Sequence, residues 1–184
     1  NAVFWEPRRF QRYLEGPSSL QGHHNGRNGN FRHALEVAER ARTLGSHHAE
    51  VHLPVLIAAS LLHDAGKAEE YKFNPVRCRY EMTERGALLG HKHTILEWIA
   101  AARAQHRVIL PEAHYLALLH AITAAKGAPD WLGLREPLSL DAHILSTVDR
   151  LSGQADLVSR HAARDGGFGA YHRHLGGRPY VVRE

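Results

Sequence analysis

Residues 53–67, LPVLIAASLLHDAGK, decide the fold of this chain. Pro54 is tolerated in the first turn of a helix, and the apolar run that follows it predicts a buried helix that Gly66 ends. His63 and Asp64 therefore lie side by side at the carboxyl end of that helix. An aspartate is rarely buried unless it is paired or bound to a metal, so Asp64 requires a partner. On this dipeptide alone, a solvated histidine and aspartate at an exposed helix end is an equal alternative.

Two further helices carry polar residues on their apolar stripes. After Asn30, a residue type that caps helices, apolar residues recur at helical spacing as far as Gly45 and place His33 on the buried face. Ser139 begins another long helix, in which Asp149 lies among Leu145, Val148 and Leu151. Two imidazoles and two carboxylates on three helices are thus predicted to face one core.

The rest of the chain predicts helices joined by loops. Residues 66–82 show no sustained periodicity of apolar residues and are predicted to form a loop. Thr83 caps a helix that runs to about residue 104, and Pro111 begins one that Gly127 ends. The glycine-rich tail from residue 165 to 184 is typical of a short hairpin within residues 171–182. We expect an all-α bundle, one domain over residues 1–184, with a short C-terminal β-hairpin.

Composition fits a folded intracellular protein. Of the 184 residues, 43% are hydrophobic and 23% charged, as in ordinary globular domains. The single cysteine, Cys78, excludes an intramolecular disulfide, and the chain shows no signal sequence, which together predict a cytoplasmic protein. The longest apolar run is too short to cross a bilayer, so no membrane is expected among its partners. The net charge of +4 mildly favours anionic partners.

The four inward polar residues predict a metal centre. A mixed nitrogen and oxygen set with open positions suits Mn²⁺ best, with Mg²⁺, Fe²⁺, Ni²⁺, Co²⁺ or Zn²⁺ as alternatives. Such a centre lowers the pKa of bound water and polarises a phosphoryl oxygen. The set therefore points to hydrolysis of phosphoesters.

Five stretches resemble, in order, the motifs of HD-domain phosphohydrolases. They are HHNGRNGNFRHALEVA (23–38), LIAASLLHDAGKAEEY (56–71), TERGALLGHKHTILEWI (83–99), LLHAITAAKG (118–127) and ILSTVDRLSG (144–153). The resemblance covers residues 20–155. Within the superfamily it is strongest to bacterial HD-domain 3′-to-5′ exoribonucleases and to the HD region of mobile-element relaxases.

The resemblance implies a role for each motif residue. The implied metal ligands are His33, His63, Asp64 and Asp149. The implied catalytic residues are Asp64, Lys67, His91 and His120, with Lys67 facing phosphate and His91 holding a second metal or the substrate phosphate. For His120, a core histidine is an equal alternative, and either His120 or His24 is expected to assist the leaving group.

One departure from the family pattern affects the predicted metal count. Where the exoribonucleases carry His-His-Gly, this chain has Ala125, Lys126 and Gly127. Alanine coordinates nothing, so we expect one tightly held metal and a weak or missing second one.

Three functions stay open. The first is a phosphodiesterase on nucleic acid, 3′-to-5′ exonuclease-like, for which Trp131 and Tyr71 are the candidate stacking residues. The second is a phosphohydrolase of small nucleotides. The third is a degenerate HD module that serves as a binding domain of a larger, relaxase-like protein.

Overall fold

The protein is a helical bundle in the computed structural model, which describes residues 2–127, 131 and 133–183. A 3₁₀ turn, Ala2–Phe4, precedes the helices. The helices are α1 Pro7–Glu15, α2 Gly29–Gly45, α3 Leu53–Leu62, α4 Lys67–Glu70, α5 Glu84–Leu88, α6 Gly90–Gln105, α7 Glu112–Thr123 and α8 Leu140–His161. The strands are β1 Tyr71–Asn74, β2 Arg79–Met82, β3 Gly167–Phe168 and β4 Tyr180–Val181.

Helix α3 is the centre of the bundle. It packs against α2, α7 and α8, which explains why it is apolar around most of its circumference. Leu56 of α3 is fully buried, together with Val37 of α2, Ile122 of α7 and Val148 of α8. The all-α prediction is confirmed, and the carboxyl end of α3 lies where its neighbours can surround it.

The predicted helix starts agree with the structure at two caps. The Thr83 hydroxyl accepts a hydrogen bond from the amide of Gly86 at 2.9 Å, which caps α5. The Ser139 hydroxyl accepts one from the amide of Ala142 at 3.2 Å, which caps α8. The predicted single helix from residue 83 to 104 is wrong, however, because Leu89 ends α5 and Gly90, with φ of +72°, turns the chain into α6.

The prediction of a loop over residues 66–82 is also wrong. This segment forms α4 and an antiparallel hairpin of β1 and β2, in which Phe73 pairs with Tyr80. The Asn74 side-chain oxygen accepts hydrogen bonds from the amides of Val76 and Arg77 at 3.0 and 3.1 Å and so stabilises the turn. Strands of four residues with mixed exposure are too short to show a recognisable alternation of apolar and polar residues in the sequence.

The tail contains the expected antiparallel strand pair, but the two strands lie further apart in the sequence than predicted. Strand β4 lies within the predicted stretch 171–182, but its partner β3 lies before that stretch. A single bridge between His172 and Gly177 closes the turn around Gly176. In the part of the chain that the structure describes, no helix is long and apolar enough to span a membrane.

Gly66 joins the end of α3 to α6 by close contact of their backbones. A Cβ atom at this position would lie 2.1 Å from the carbonyl oxygen of His91, far inside van der Waals contact. The φ of Gly66 is −61°, so the requirement for glycine comes from space and not from backbone conformation.

We predict that Gly66→Ala lowers the free energy of unfolding by about 1–3 kcal/mol, because the added methyl group overpacks this contact. Gly26→Ala is the matched control, since a Cβ at Gly26 meets nothing within 4 Å. Urea denaturation followed by circular dichroism measures both changes. Equal stability of the two variants would contradict the assigned packing.

Candidate metal centre

Four side chains from three helices converge beside the end of α3. His33 extends from α2, His63 caps α3 with Asp64 next to it, and Asp149 extends from α8. His33 Nε2 lies 3.0 Å from Asp149 Oδ1 and 3.3 Å from His63 Nε2. Asp64 Oδ2 lies 3.6 Å from each of these two nitrogens.

Hydrogen bonds on the far sides of both imidazoles fix which nitrogen faces the cluster. His63 Nδ1 donates to the carbonyl oxygen of Ser60 at 2.8 Å, which leaves Nε2 without a proton when the ring is neutral. His33 Nδ1 lies 3.1 Å from the Ser152 hydroxyl, whose own proton is donated to Glu36 Oε2 at 2.9 Å. The hydroxyl must therefore accept from His33, and the lone pair of His33 Nε2 also faces the cluster.

This donor set fits a divalent cation. Facing nitrogen and oxygen atoms at 3.0–3.6 Å repel one another unless a proton or a metal ion lies between them. Bonds from a metal of about 2.1 Å place neighbouring ligand atoms about 3.0–3.4 Å apart in octahedral or tetrahedral geometry. His33, His63 and Asp64 are buried, and they form a group that could hold a metal ion.

The electrostatics keep both carboxylates ionised. Burial would raise the pKa of Asp64, but the Lys67 ammonium and the neighbouring histidines hold it well below its usual range. Burial also raises the pKa of Asp149, but in the metal-free protein His33 and His63 outweigh that effect and lower it, because a protonated imidazole donates a hydrogen bond to the carboxylate. Two anionic groups therefore remain available to a cation at neutral pH.

Lys67 and His91 contact Asp64 from its other sides. Lys67 Nζ lies 2.6 Å from Asp64 Oδ2 and 3.4 Å from the Ser18 hydroxyl. His91 Nε2 lies 3.4 Å from Asp64 Oδ1, and His91 Nδ1 donates to Glu70 Oε2 at 2.7 Å. Burial would raise the pKa of Glu70, yet its hydrogen bond with His91 holds that pKa low, so Glu70 acts as a fixed acceptor.

A cavity of about 370 Å³ opens onto these groups. Its walls include His23, His63, Asp64, Lys67, His91, Lys92, Ala125 and Asp149. Ala125 thus lies in the wall of the site, at the position where the predicted family pattern has a histidine. The cavity lies within the size range of small-ligand sites.

Comparisons with known proteins now identify the fold family. Residues 30–154 match the model of the HD domain. This chain belongs to the HD domain family.

Two curated relatives of this HD domain carry the same name. The chain is 28% identical to the 3′-5′ exoribonuclease YhaM of Bacillus licheniformis over 152 residues, which are 83% of the chain and 47% of that protein. It is 29% identical to the 3′-5′ exoribonuclease YhaM of a Geobacillus species over 150 residues, 82% of the chain and 45% of that protein. The chain therefore spans about half the length of these relatives. No solved structure matches it.

The family match confirms the predicted HD domain, and the relatives confirm its predicted similarity to bacterial 3′-5′ exoribonucleases. The predicted likeness to the HD region of relaxases stays a prediction.

The structure does not bring every predicted site residue to the HD centre. His120 Nε2 accepts a hydrogen bond from the amide of Leu138 at 2.9 Å, and His120 is absent from the described walls of the cavity. His24 is likewise absent from the described walls of the cavity, and its Nε2 lies 3.3 Å from the Ser152 hydroxyl. Of the two candidate stacking residues, Trp131 is 82% exposed and Tyr71 is half-buried.

Sequence reasoning missed three residues that orient the others. Ser152 and Glu36 hold His33, and each follows a predicted ligand by three residues on the same helix, Asp149 and His33 respectively. Residues spaced by three share a helix face, so this spacing was the available signal. Glu70, which holds His91, gave no such signal because it stands in a charged run typical of a solvated surface.

We predict that Ser152→Ala lowers the affinity of this HD domain for Mn²⁺ by about 10- to 100-fold, because His33 loses the partner that fixes its tautomer. Ser159→Ala, an exposed serine of the same helix, is the matched control. Competition with a chromogenic chelator measures both affinities. Unchanged affinity in Ser152→Ala would show that this hydroxyl does not orient the metal ligand.

Proposed function

We propose that this HD domain holds one divalent metal on His33, His63, Asp64 and Asp149 and hydrolyses phosphodiester bonds at the 3′ end of single-stranded nucleic acid. The observation that carries the proposal is the convergence of four electron-pair donors on one point, with separations of 3.0–3.6 Å. Mn²⁺ suits this mixed nitrogen and oxygen set.

The cation supplies two effects when bound: it lowers the pKa of a water molecule and polarises the phosphoryl group. The protein residues then orient the water and the phosphate. Asp64 is positioned to orient the attacking water by accepting a hydrogen bond from it, since it stays ionised and its Oδ1 faces the cavity side occupied by His91.

Cationic and hydrogen-bonding groups in the cavity walls would receive the phosphate. Lys67 keeps Asp64 ionised and adds positive charge beside the phosphoryl oxygens. Lys92 lines the same cavity and adds a second ammonium group. Glu70 orients His91 so that Nε2 points toward Asp64 and the substrate, where a proton on that nitrogen would stabilise charge on the phosphate.

The relatives and the charge balance support nucleic acid as the substrate. Both relatives named above are exoribonucleases, and the chain carries a net charge of +4. The absence of a histidine at Ala125 supports a single tightly held metal. A phosphohydrolase of small nucleotides is the second candidate, because a cavity of about 370 Å³ also accommodates one nucleotide.

We predict that the wild-type chain holds about one equivalent of Mn²⁺ and that Asp64→Ala loses both the metal and Mn²⁺-dependent hydrolysis of bis-p-nitrophenyl phosphate. His91→Ala should keep the metal and lose about 10²- to 10³-fold in kcat, because only a contact to the phosphate is removed. Elemental analysis and steady-state kinetics measure the two effects.

His93→Ala is the control for His91→Ala, since His93 follows on the same helix and is exposed. It should change neither metal content nor rate. Stoichiometric metal in Asp64→Ala, or full activity in His91→Ala, would refute the corresponding assignment.

We predict that the chain shortens a 5′-labelled single-stranded RNA from its 3′ end and leaves free nucleotides intact, because the proposed reaction cleaves a phosphodiester bond and a free nucleotide contains none. Gel electrophoresis of the labelled products measures the direction of cleavage. Hydrolysis of free nucleotides without shortening of RNA would favour the second candidate. Metal binding with turnover of neither substrate would indicate a binding module.

A further inference from the structure

We infer that residues 160–183, the C-terminal segment, form a surface that binds single-stranded nucleic acid and guides it to the metal centre. The guiding role rests on the proposed function, while the binding itself does not. The surface combines clustered arginines, an exposed aromatic pair and direct contacts with the loop that lines the catalytic cavity.

The C-terminal segment concentrates the positive charge of the protein. It contains five of the 23 lysines and arginines and one of the 19 acidic residues, so its formal charge equals the +4 of the whole chain. The five arginines are Arg160, Arg164, Arg173, Arg178 and Arg183, all of them exposed. A local excess of arginine attracts a polyanion, because arginine forms charge-assisted hydrogen bonds with phosphate.

An aromatic pair on the same segment provides a stacking surface. Phe168 of β3 and Tyr180 of β4 pair across the two strands, with ring centroids 4.9 Å apart. They are 61% and 60% exposed, although large aromatic rings usually lie inside a protein. The Arg178 guanidinium lies 5.6 Å from the centre of the Phe168 ring. Exposed aromatic rings beside arginine are the features on which unpaired bases stack.

Backbone contacts hold this surface in place against α8. Ala170 donates to the carbonyl oxygen of His161 at 3.1 Å, and Gly169 donates to that of Pro179 at 2.7 Å. A Cβ atom at Gly169 would lie 1.9 Å from His161 O, so only glycine allows this approach. The Arg178 side chain donates to Gly169 O at 2.8 Å. The segment that carries the aromatic pair is therefore held in position by hydrogen bonds to the end of α8 and within itself.

The C-terminal segment contacts the loop that leads into the metal centre. Arg160 Nη2 donates to the carbonyl oxygen of Gly22 at 2.8 Å, and Arg173 donates to the side chain of Gln21. The next residue of that loop, His23, lines the catalytic cavity and packs on the His33 ring with centroids 5.1 Å apart. Nucleic acid bound on the segment would therefore lie next to the short loop whose residue His23 lines the cavity.

Single-stranded nucleic acid fits these observations better than a protein or membrane partner. Arginines and tilted aromatic rings at the surface match a chain of phosphates with unpaired bases, and they need no groove for an apolar partner. The described part of the segment shows no apolar helix face that a lipid surface would cover.

The test is fluorescence anisotropy with a labelled single-stranded RNA of about 12 nucleotides, a length that covers typical site sizes, at several salt concentrations with a chelator to prevent cleavage. We expect Phe168→Leu and Tyr180→Leu each to weaken binding about tenfold, because leucine keeps the apolar volume and lacks a ring for stacking. The double variant Arg164→Gln with Arg183→Gln should reduce the slope of log K against log salt by about 1.4, or about 0.7 per lost phosphate contact.

Matched controls distinguish the effect of this surface from the effect of removing any exposed arginine or aromatic ring. Arg42→Gln removes an exposed arginine near the far end of α2, and Trp5→Leu removes an exposed ring outside the segment. Both should bind RNA as the wild type does. All variants should hydrolyse bis-p-nitrophenyl phosphate at the wild-type rate, since none of them lines the cavity, and thermal unfolding should show that they remain folded.

Wild-type affinity and salt slope in the Phe168, Tyr180 and double arginine variants would overturn the inference, whatever the catalytic activity. A protein that hydrolyses no phosphodiester, yet loses RNA binding in these variants, would refute the proposed function and leave the binding surface intact.

Discussion

Repulsion between electron pairs is the constraint on which the rest of this HD domain depends. Two imidazole nitrogens and two carboxylate oxygens face one another at 3.0–3.6 Å beside the end of α3. Without a cation this arrangement costs free energy, and it persists because the bundle holds its ligands from three directions. Ser60 and Ser152 fix the two imidazoles, while Lys67 keeps Asp64 ionised. The packed core of α2, α3 and α8 therefore holds the four ligands around a single cation site.

Much of this arrangement of helices and ligands could be predicted from the sequence, because the hydrophobic pattern that indicates it lies within single helices. An apolar helix that ends in His63 and Asp64 predicts a polar pair at the core, and helical spacing places His33 on a buried face and Asp149 on the apolar stripe of α8, where its side chain is 43% exposed. Each inference uses residues within one element, where periodicity governs which side chain turns inward. The arrangement of the three helices around α3 then follows from packing their apolar faces together.

The parts that escaped prediction depend on contacts between distant segments. Glu70 matters only because the fold brings α4 to the first turn of α6, where His91 lies. The aromatic pair of Phe168 and Tyr180 forms across strands of two residues each, which are too short to produce an alternating pattern. His120 is implied as a site residue by the family resemblance alone, and its Nε2 accepts a hydrogen bond from the amide of Leu138. Sequence pattern identifies which residues turn inward, but not which of them meet.

This HD domain combines a metal centre with a basic, aromatic surface, in a chain that spans about half the length of its exoribonuclease relatives. Both proposed activities at the centre require one cation among His33, His63, Asp64 and Asp149. The most direct measurement is the anomalous scattering of a crystal soaked in Mn²⁺, recorded at the manganese absorption edge. We expect one strong peak about 2.0–2.3 Å from the facing atoms of all four residues. No peak there, or a peak bound without His33 and Asp149, would contradict this assignment.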